Sequence, residues 1–513
     1  MLDSFIKGQD QLVQQLFLYY YRSYQNSFSY KELIDELDIT YPMLKHALDQ
    51  VEAIQAGYPE FSIDRGSRTV TITFSEKFLL NKIRVNLTKE TVPFIIWNAV
   101  FYQKFTSLDA FSQKNYLSRR TVQRQIAAFG PILDRYKIGL NLKKNDHLEG
   151  EEYRIRYFFH SFYWHVFDEI ESNRPPITEK SASEIYQKIT AYFPFIRHAA
   201  KERFINLLVV SVTRIKQGHV ISEVPDSVRK FYNPFMAKGA FEEKLLLPFF
   251  EANFLFSKDL TKDELLYLYY MFTIGQSYPI DSMQKIQLQS PMFLSDYRRL
   301  IDDWISLVES QLKFQFGENE KKYLFVNATY VFSFLLSFGL SNQIDSFGDY
   351  LSVSEMEEEY HYLFAVLDDI APKVKTDNPE WTEALKSNSF KYYTSQLLYY
   401  ILMDYDIPIR VAIESKGRGI EEALQKQKLV RLSPRPIIMV RINEEPDVII
   451  SDYAIDLSKY FSSDVPYLFQ WSEKQYLPDW VRVITFINEV RERKYARLLP
   501  KNVEEEQTSE HRR

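Results

Sequence analysis

Residues 115–130 read NYLSRRTVQRQIAAFG and place three arginines and two glutamines on a short segment behind a serine. Ser118 is a good N-cap, because a serine hydroxyl accepts from the unpaired amide N–H groups of a first helical turn. Val122, Ile126 and Phe129 then recur at i, i+4 and i+7. One stripe of the helix is therefore apolar, and Arg119, Arg120, Thr121, Gln123 and Arg124 project from its other faces. Just upstream, SLDAFSQ (107–113) starts a short amphipathic helix with Leu108 and Phe111 three apart, and NYL makes the turn. The pattern is helix, turn, helix. Arginine pairs with guanine edges, glutamine pairs with adenine and either holds phosphate, so the second helix carries the donors of a recognition helix near its N-terminus.

After Gly130 the text changes period. Ile138, Leu140 and Leu142 alternate as in a strand, and Lys143, Lys144, Asn145 and Asp146 form a polar turn resembling the tip of a wing. The same grammar occurs earlier. Leu33, Ile34 and Leu37 mark a first helix, Asp38 and Ile39 a turn, and Thr40 the cap of a second helix with Pro42 in its first turn. Met43, Leu44, Ala47, Leu48 and Val51 are expected to form that helix's buried stripe, leaving Tyr41, Lys45 and His46 outside. FSIDRGSRTVTITF (61–74) then reads as a hairpin, with Arg65, Gly66 and Arg68 at its turn. Two winged helices in tandem are expected, with Lys143, Lys144, Arg65 and Arg68 as phosphate-contacting wings.

Composition sets limits on the rest. A chain of 513 residues is long enough for several domains, since single cores stop growing near roughly 250–300 residues. With 39 Phe and 36 Tyr against 14 Gly, a well-packed and mostly helical structure is expected rather than disorder. The absence of cysteine excludes disulfides, thiolate metal sites and thiol nucleophiles, and fits a reducing cytoplasmic home. The first residues lack a secretory pattern, and no apolar run approaches the roughly 20 residues that span a bilayer; TYVFSFLLSFGL (329–340) reads as a buried helix. Net charge is only −6, so a nucleic acid must be met by a local patch. Residues 1–150 hold 19 basic and 16 acidic side chains, and the window 104–144 holds nine basic against two acidic, a local +7.

From 151 to about 400 the sequence is long helices with short polar breaks, among them 202–219, 241–254, 262–277, 296–314 and 355–372. They suggest two helical units joined near 278–291, where Gly275, Pro279 and Pro291 interrupt the pattern. Beyond 405, IPIRVAIES, PIIMVRI, DVIISDY and PYLFQW are short apolar runs between helical stretches, which imply a small parallel α/β domain. EEEQTSEHRR closes the chain as a solvated tail.

The block LNLKKNDHLEGEEYRIRYFF (140–159) behind the Ser118–Arg119 helix start, and within it GEEYRIRY (150–157), resembles the RofA-like branch of the Mga family of transcriptional regulators. The resemblance implies a mainly helical multidomain chain: winged helix-turn-helix domains at 1–82 and 83–152, phosphotransferase-regulation-like helical domains at 153–282 and 283–402, an EIIB-like α/β domain at 403–498 and a tail at 499–513. It further implies a homodimer that binds promoter DNA of adhesin, pilus and other virulence genes and responds to the sugar phosphotransferase system through the phosphocarrier HPr. Histidines that such regulation domains use would fall at positions 207 and 271, which are Leu207 and Met271 here. Of the histidines present, His219, after a helix end, and His361, in an acidic helix, are the candidate phosphoacceptors. The EIIB-type cysteine is also missing: the first strand runs into Lys416, Gly417, Arg418 and Gly419. That leaves a docking or dimerisation role, or an anion held by the Gly-x-Gly turn.

Two other classes compete. Asp302–Asp303 and Asp368–Asp369 are adjacent on helices, so their carboxylates point about 100° apart and do not converge on a metal or a reacting atom. No HExxH, P-loop or GxSxG string occurs; no cofactor, metal site or catalytic residue is expected. A helical scaffold that binds only proteins is the alternative, and it lacks a salt-sensitive affinity for DNA.

Overall fold

The computed structural model describes residues 9–23, 25–78, 80–142, 147–166, 177–229, 231, 236–275, 278–285, 295–312, 314–339, 361–402, 408–417, 419–433, 435–461, 466–471 and 477–498. Capping decides where the first elements begin. The Ser29 hydroxyl accepts from Glu32 N at 3.2 Å while the Glu32 carboxylate accepts from Ser29 N at 2.7 Å, a reciprocal box that starts α2 (Tyr30–Leu37). Asp38, at φ 51, turns the chain out of that helix, and α3 (Tyr41–Gln55) follows Thr40 with Pro42 in its first turn. Strands β1 (Ser27–Ser29), β2 (Phe61–Arg65) and β3 (Thr69–Phe74) form an antiparallel sheet in the order β1-β3-β2. Helix α1 (Gln9–Arg22) contributes Leu12, Leu16 and Phe17 to a core shared with Leu33, Leu44, Leu48, Val51, Val70 and Ile72. The expected stripe of α3 is buried at Leu44, Ala47, Leu48 and Val51. Met43 is a correction: it is 46% exposed, because it lies in the first turn, outside the arc those four residues fill.

The second module also sets a helix pair before two short strands, its second helix 17 residues long against 15 for α3. Thr91 caps α5 (Val92–Phe101) after α4 (Leu80–Glu90), and Ser107 caps α6 (Leu108–Lys114). Helix α7 (Arg119–Arg135) starts at Ser118, whose hydroxyl accepts from Thr121 N at 3.0 Å. The helix does not stop near Gly130 but runs through Pro131 to Arg135. Proline removes one intrahelical hydrogen bond, yet buried Leu133 extends the stripe of Val122 and Phe129 by another turn. Of the expected strand at 138–142, only β4 (Gly139–Leu140) pairs, antiparallel with β5 (Leu148–Glu149). Lys143 and Lys144, with the rest of that wing tip, lie outside the described residues.

The chain divides into two compact units, Met1–Leu294 with Ser333–Tyr350, and Ser295–Phe332 with Leu351–Arg513. In the first unit, α8 (Glu152–Val166) joins the second module to a helical body. One set of its aromatic side chains faces that module: Phe158 lies 5.8 Å from Trp97 and 5.3 Å from Tyr136, Phe159 is 4.6 Å from Phe101, and the Tyr163 hydroxyl donates to Asn98 Oδ1 at 2.9 Å. Its other side meets α10 (His198–Lys216), which follows α9 (Glu179–Tyr192), and the helix Lys262–Ile274. There Glu152 and Arg156 of GEEYRIRY are paired inside the protein. Glu152 takes Arg214 Nη2 at 2.7 Å and Arg156 Nε at 2.9 Å. Arg156, 0% exposed, also pairs with the equally buried Glu264 and donates to the His219 carbonyl at 2.8 Å. Ile221 N donates to Glu264 at 2.9 Å. Burial opposes ionisation of Glu152, but the hydrogen bond from Arg214 and the charges of Arg156 and Arg214 outweigh it and hold its carboxyl below the ordinary range.

The second unit contains helices Ser295–Leu312, His361–Ile370, Pro379–Lys386 and Asn388–Leu402 around Trp304 and Phe390. Its α/β part is the expected parallel sheet: β6 (Ile409–Glu414), β7 (Ile437–Met439), β8 (Val448–Ser451) and β9 (Tyr467–Gln470) in the order β7-β6-β8-β9. Among the described residues no helix is long and apolar enough to cross a membrane.

Removing one partner from a buried charge cluster strands the others, typically at about 3–5 kcal/mol. Arg156→Met should therefore lower the urea-unfolding stability of the first unit by about that much, read by far-UV circular dichroism. A loss under about 1 kcal/mol would mean that the cluster does not hold α8 in place.

Candidate nucleic-acid interface

The exposed side of α7 is set from inside. Phe129 packs on Trp97 at 4.8 Å, Val122 is fully buried and Leu133 nearly so, which fixes the rotation of the helix about its axis. Arg120, Gln123 and Arg124 are then exposed and Thr121 half-buried. Arg119 has a 58% exposed side chain whose Nη1 donates to Asp109 Oδ1, in the first turn of α6, at 3.1 Å. Asp109 is a partner that sequence spacing did not reveal, ten residues away across the turn. A guanidinium carries five N–H donors, so one bond to Asp109 orders Arg119 without exhausting it. Lys104, Lys114, Arg135 and Lys137 are exposed as well, so the described cations of the window 104–144 stand on the surface of this module.

On the first module Tyr41, Lys45 and His46 are exposed along α3, with the Tyr41 ring 5.8 Å from that of Tyr30. The two hairpin arginines differ. Arg68 is exposed at the turn, whereas Arg65 folds back onto α3, donating to Asp49 at 2.6 Å and Glu52 at 3.3 Å. The hydrogen bond from Arg65 holds the Asp49 carboxyl below its usual value. Arg65 thus braces hairpin to helix.

The candidate phosphoacceptors sit elsewhere. His219 is half-buried, its Nε2 3.2 Å from Gln103 Nε2 in the loop between α5 and α6; the neighbouring Gln217 donates to Phe101 O at 2.8 Å. His361 opens the helix His361–Ile370, and its side chain lies outside the described residues. Leu207 and Met271, the positions the resemblance marks for histidine, are packed in the core. In the α/β part, the crevice at the C-terminal ends of β6 and β8 is the topological switch point where such sheets hold ligands. Here Asp452 fills it, accepting from Ser415 Oγ at 2.6 Å and Lys416 N at 2.9 Å. Gly417 N donates to Ser415 Oγ at 3.1 Å. Two of the turn's amides are thereby already engaged by the protein.

Residues 76–163 match the family model described as the Mga helix-turn-helix domain. The chain carries an Mga helix-turn-helix domain. The match contains α4 to α7, both short strands and most of α8, and is consistent with the Mga/RofA-like regulator that the GEEYRIRY block resembles. That family is one of regulatory DNA-binding proteins, so the match points to a DNA-binding regulator. No curated protein matches the chain.

Ser118→Ala should destabilise the Mga domain by about 1 kcal/mol through loss of the cap, measured by urea unfolding; an unchanged midpoint would show that water replaces the hydroxyl with no loss of stability.

Proposed function

We propose that the chain is a transcription factor that reads promoter DNA with two winged helix-turn-helix modules and controls surface-protein genes of the adhesin, pilus and virulence type. The observation that carries the DNA part is the outer face of α7: a capped, core-anchored helix that opens with exposed Arg120, Gln123 and Arg124 and a semi-ordered Arg119. Arg119, Arg120, Gln123 and Arg124 contact base edges and flanking phosphates, and Tyr41, Lys45 and His46 form the corresponding surface on α3. Arg68 is the better candidate for a wing contact, since Arg65 has carboxylate partners of its own. The gene class, the homodimer and the link to the sugar phosphotransferase system rest on the resemblance. The parallel order of β7-β6-β8-β9 supports the EIIB-like reading of 403–498, and the Asp452-filled crevice favours docking over phosphoryl carriage there.

Arg119→Ala combined with Arg120→Ala should weaken binding to a promoter duplex and flatten the dependence of log K on log salt by about 0.9 for each phosphate that is no longer neutralised, at nearly unchanged melting temperature. A double variant that binds with wild-type affinity and slope sinks the assignment of α7 as the recognition helix.

His219 lies beside the Mga module rather than far from it, which supports it as the point where a phosphotransferase signal would reach DNA binding. Incubation with phosphoenolpyruvate, enzyme I and HPr followed by peptide mass spectrometry should place the label on His219 or His361. Label on neither removes the phosphotransferase part of the reading.

A further inference from the structure

Tyr116 stands in the turn between α6 and α7 with φ 54 and 97% of its surface exposed. Both properties run against the residue type. Positive φ crowds Cβ against the backbone, so that region is left mainly to glycine, asparagine and aspartate, and a bulky side chain there is a true outlier. A phenol ring normally buries its apolar body and satisfies its hydroxyl.

The first module makes the same turn with less strain, placing Asp38 at φ 51. Asparagine, tolerant of that conformation, is next door as Asn115, yet it keeps φ −102 and directs its side chain to the Phe111 carbonyl at 2.8 Å. The left-handed position therefore falls to tyrosine with a better residue adjacent. Tyr116 N donates to Gln113 O at 3.3 Å and Leu117 N to Ser112 O at 2.9 Å, the bonds of a helix end that hold the backbone in this shape, but among the described residues no hydrogen bond, ring contact or ion pair engages the Tyr116 side chain. Residues held in sparsely populated backbone conformations cluster at ligand contacts. The position agrees with that. Tyr116 lies two residues before the Ser118 cap, between exposed Lys114 and exposed Arg119 and Arg120, where a helix entering a groove brings the sugar-phosphate backbone closest.

From this geometry we infer that Tyr116 is a DNA contact, its hydroxyl donating to a backbone phosphate oxygen beside the groove that α7 enters. The inference rests on the DNA reading of α7. Tyrosine is one of the side chains that donate to phosphate and fix register on the duplex without reading sequence. A neutral donor leaves a signature that a cation does not: it releases no counterion, so its loss lowers affinity without altering the salt slope.

The test uses the full-length chain and a duplex that the wild type enriches from a randomised library, with affinity measured by fluorescence anisotropy over a salt series. Tyr116→Phe removes the hydroxyl and leaves the turn intact; Tyr116→Gly removes the ring and relieves the backbone. Both should bind about three- to tenfold more weakly with the wild-type salt slope, and the glycine variant should melt at or above the wild-type temperature. Arg120→Ala, in contrast, should lose affinity and lower the slope by about 0.9. If Arg120→Ala weakens binding while Tyr116→Phe matches wild type, the tyrosine inference is overturned and the DNA reading stands. A Tyr116→Phe variant that binds normally but shifts the sedimentation of the free protein overturns it too, assigning the ring to self-association. A wild-type chain that enriches no duplex overturns both.

Discussion

Four charged side chains removed from water, Arg156, Glu264, Glu152 and Arg214, fix how the Mga domain meets the helical body behind it. A buried pair gains little net stability over apolar packing, but a partly satisfied one is strongly unfavourable. Such a cluster therefore acts as a registry device: α8 can sit against α10 and the helix Lys262–Ile274 in the one register where every charge finds a partner. The bonds to the His219 carbonyl and from Ile221 N extend the same network into the loop after α10. Because the opposite side of α8 carries Phe158, Phe159 and Tyr163 into the Mga domain, and Gln217 and His219 meet Phe101 O and Gln103 beside it, the domain is packed directly against the helical body.

The two N-terminal modules each hold a helix-turn-helix pair and differ in how their arginines are used. In the first, Arg65 is engaged by Asp49 and Glu52, which stiffens the hairpin against α3 and leaves Arg68 outermost. In the second, the cations of α7 stay exposed, and among the described residues Arg119 alone is tethered, by an ion pair open to solvent. Exposed pairs of this kind contribute about 0–1 kcal/mol, so a phosphate or a guanine edge can draw Arg119 from Asp109 with little opposition.

Local grammar made much of this legible. Capping residues and apolar spacing located α2, α3, α6 and the start of α7, period-two alternation located the hairpin 61–74, and short apolar runs located the parallel strands β6, β7, β8 and β9. Information that is not local was missed. The end of α7 depended on whether burial of Leu133 outweighs Pro131, and Met43 depended on where the core stops. The role of GEEYRIRY was recognisable as a likeness, but its physical content lay in partners 62 and 108 residues away, which spacing cannot reveal. Arg65 looked like a wing cation because the two carboxylates that claim it sit on another element.

The C-terminal crevice shows the same lesson in chemical form. A Gly-x-Gly turn after the first parallel strand suggests an anion cradle, since backbone amides there converge on the switch point. What the Lys416 amide meets is Asp452, supplied by the end of β8 and fastened also to the Ser415 hydroxyl, while the Gly417 amide donates to Ser415 Oγ. Glu414, at the end of β6, is pushed above the ordinary carboxylate range by burial and by the nearby charge of Glu422, so a second anion would enter an already acidic surrounding. An internal carboxylate and a serine hydroxyl thus take up the amides of Lys416 and Gly417 at this crevice, contacts that a Gly-x-Gly string by itself does not disclose.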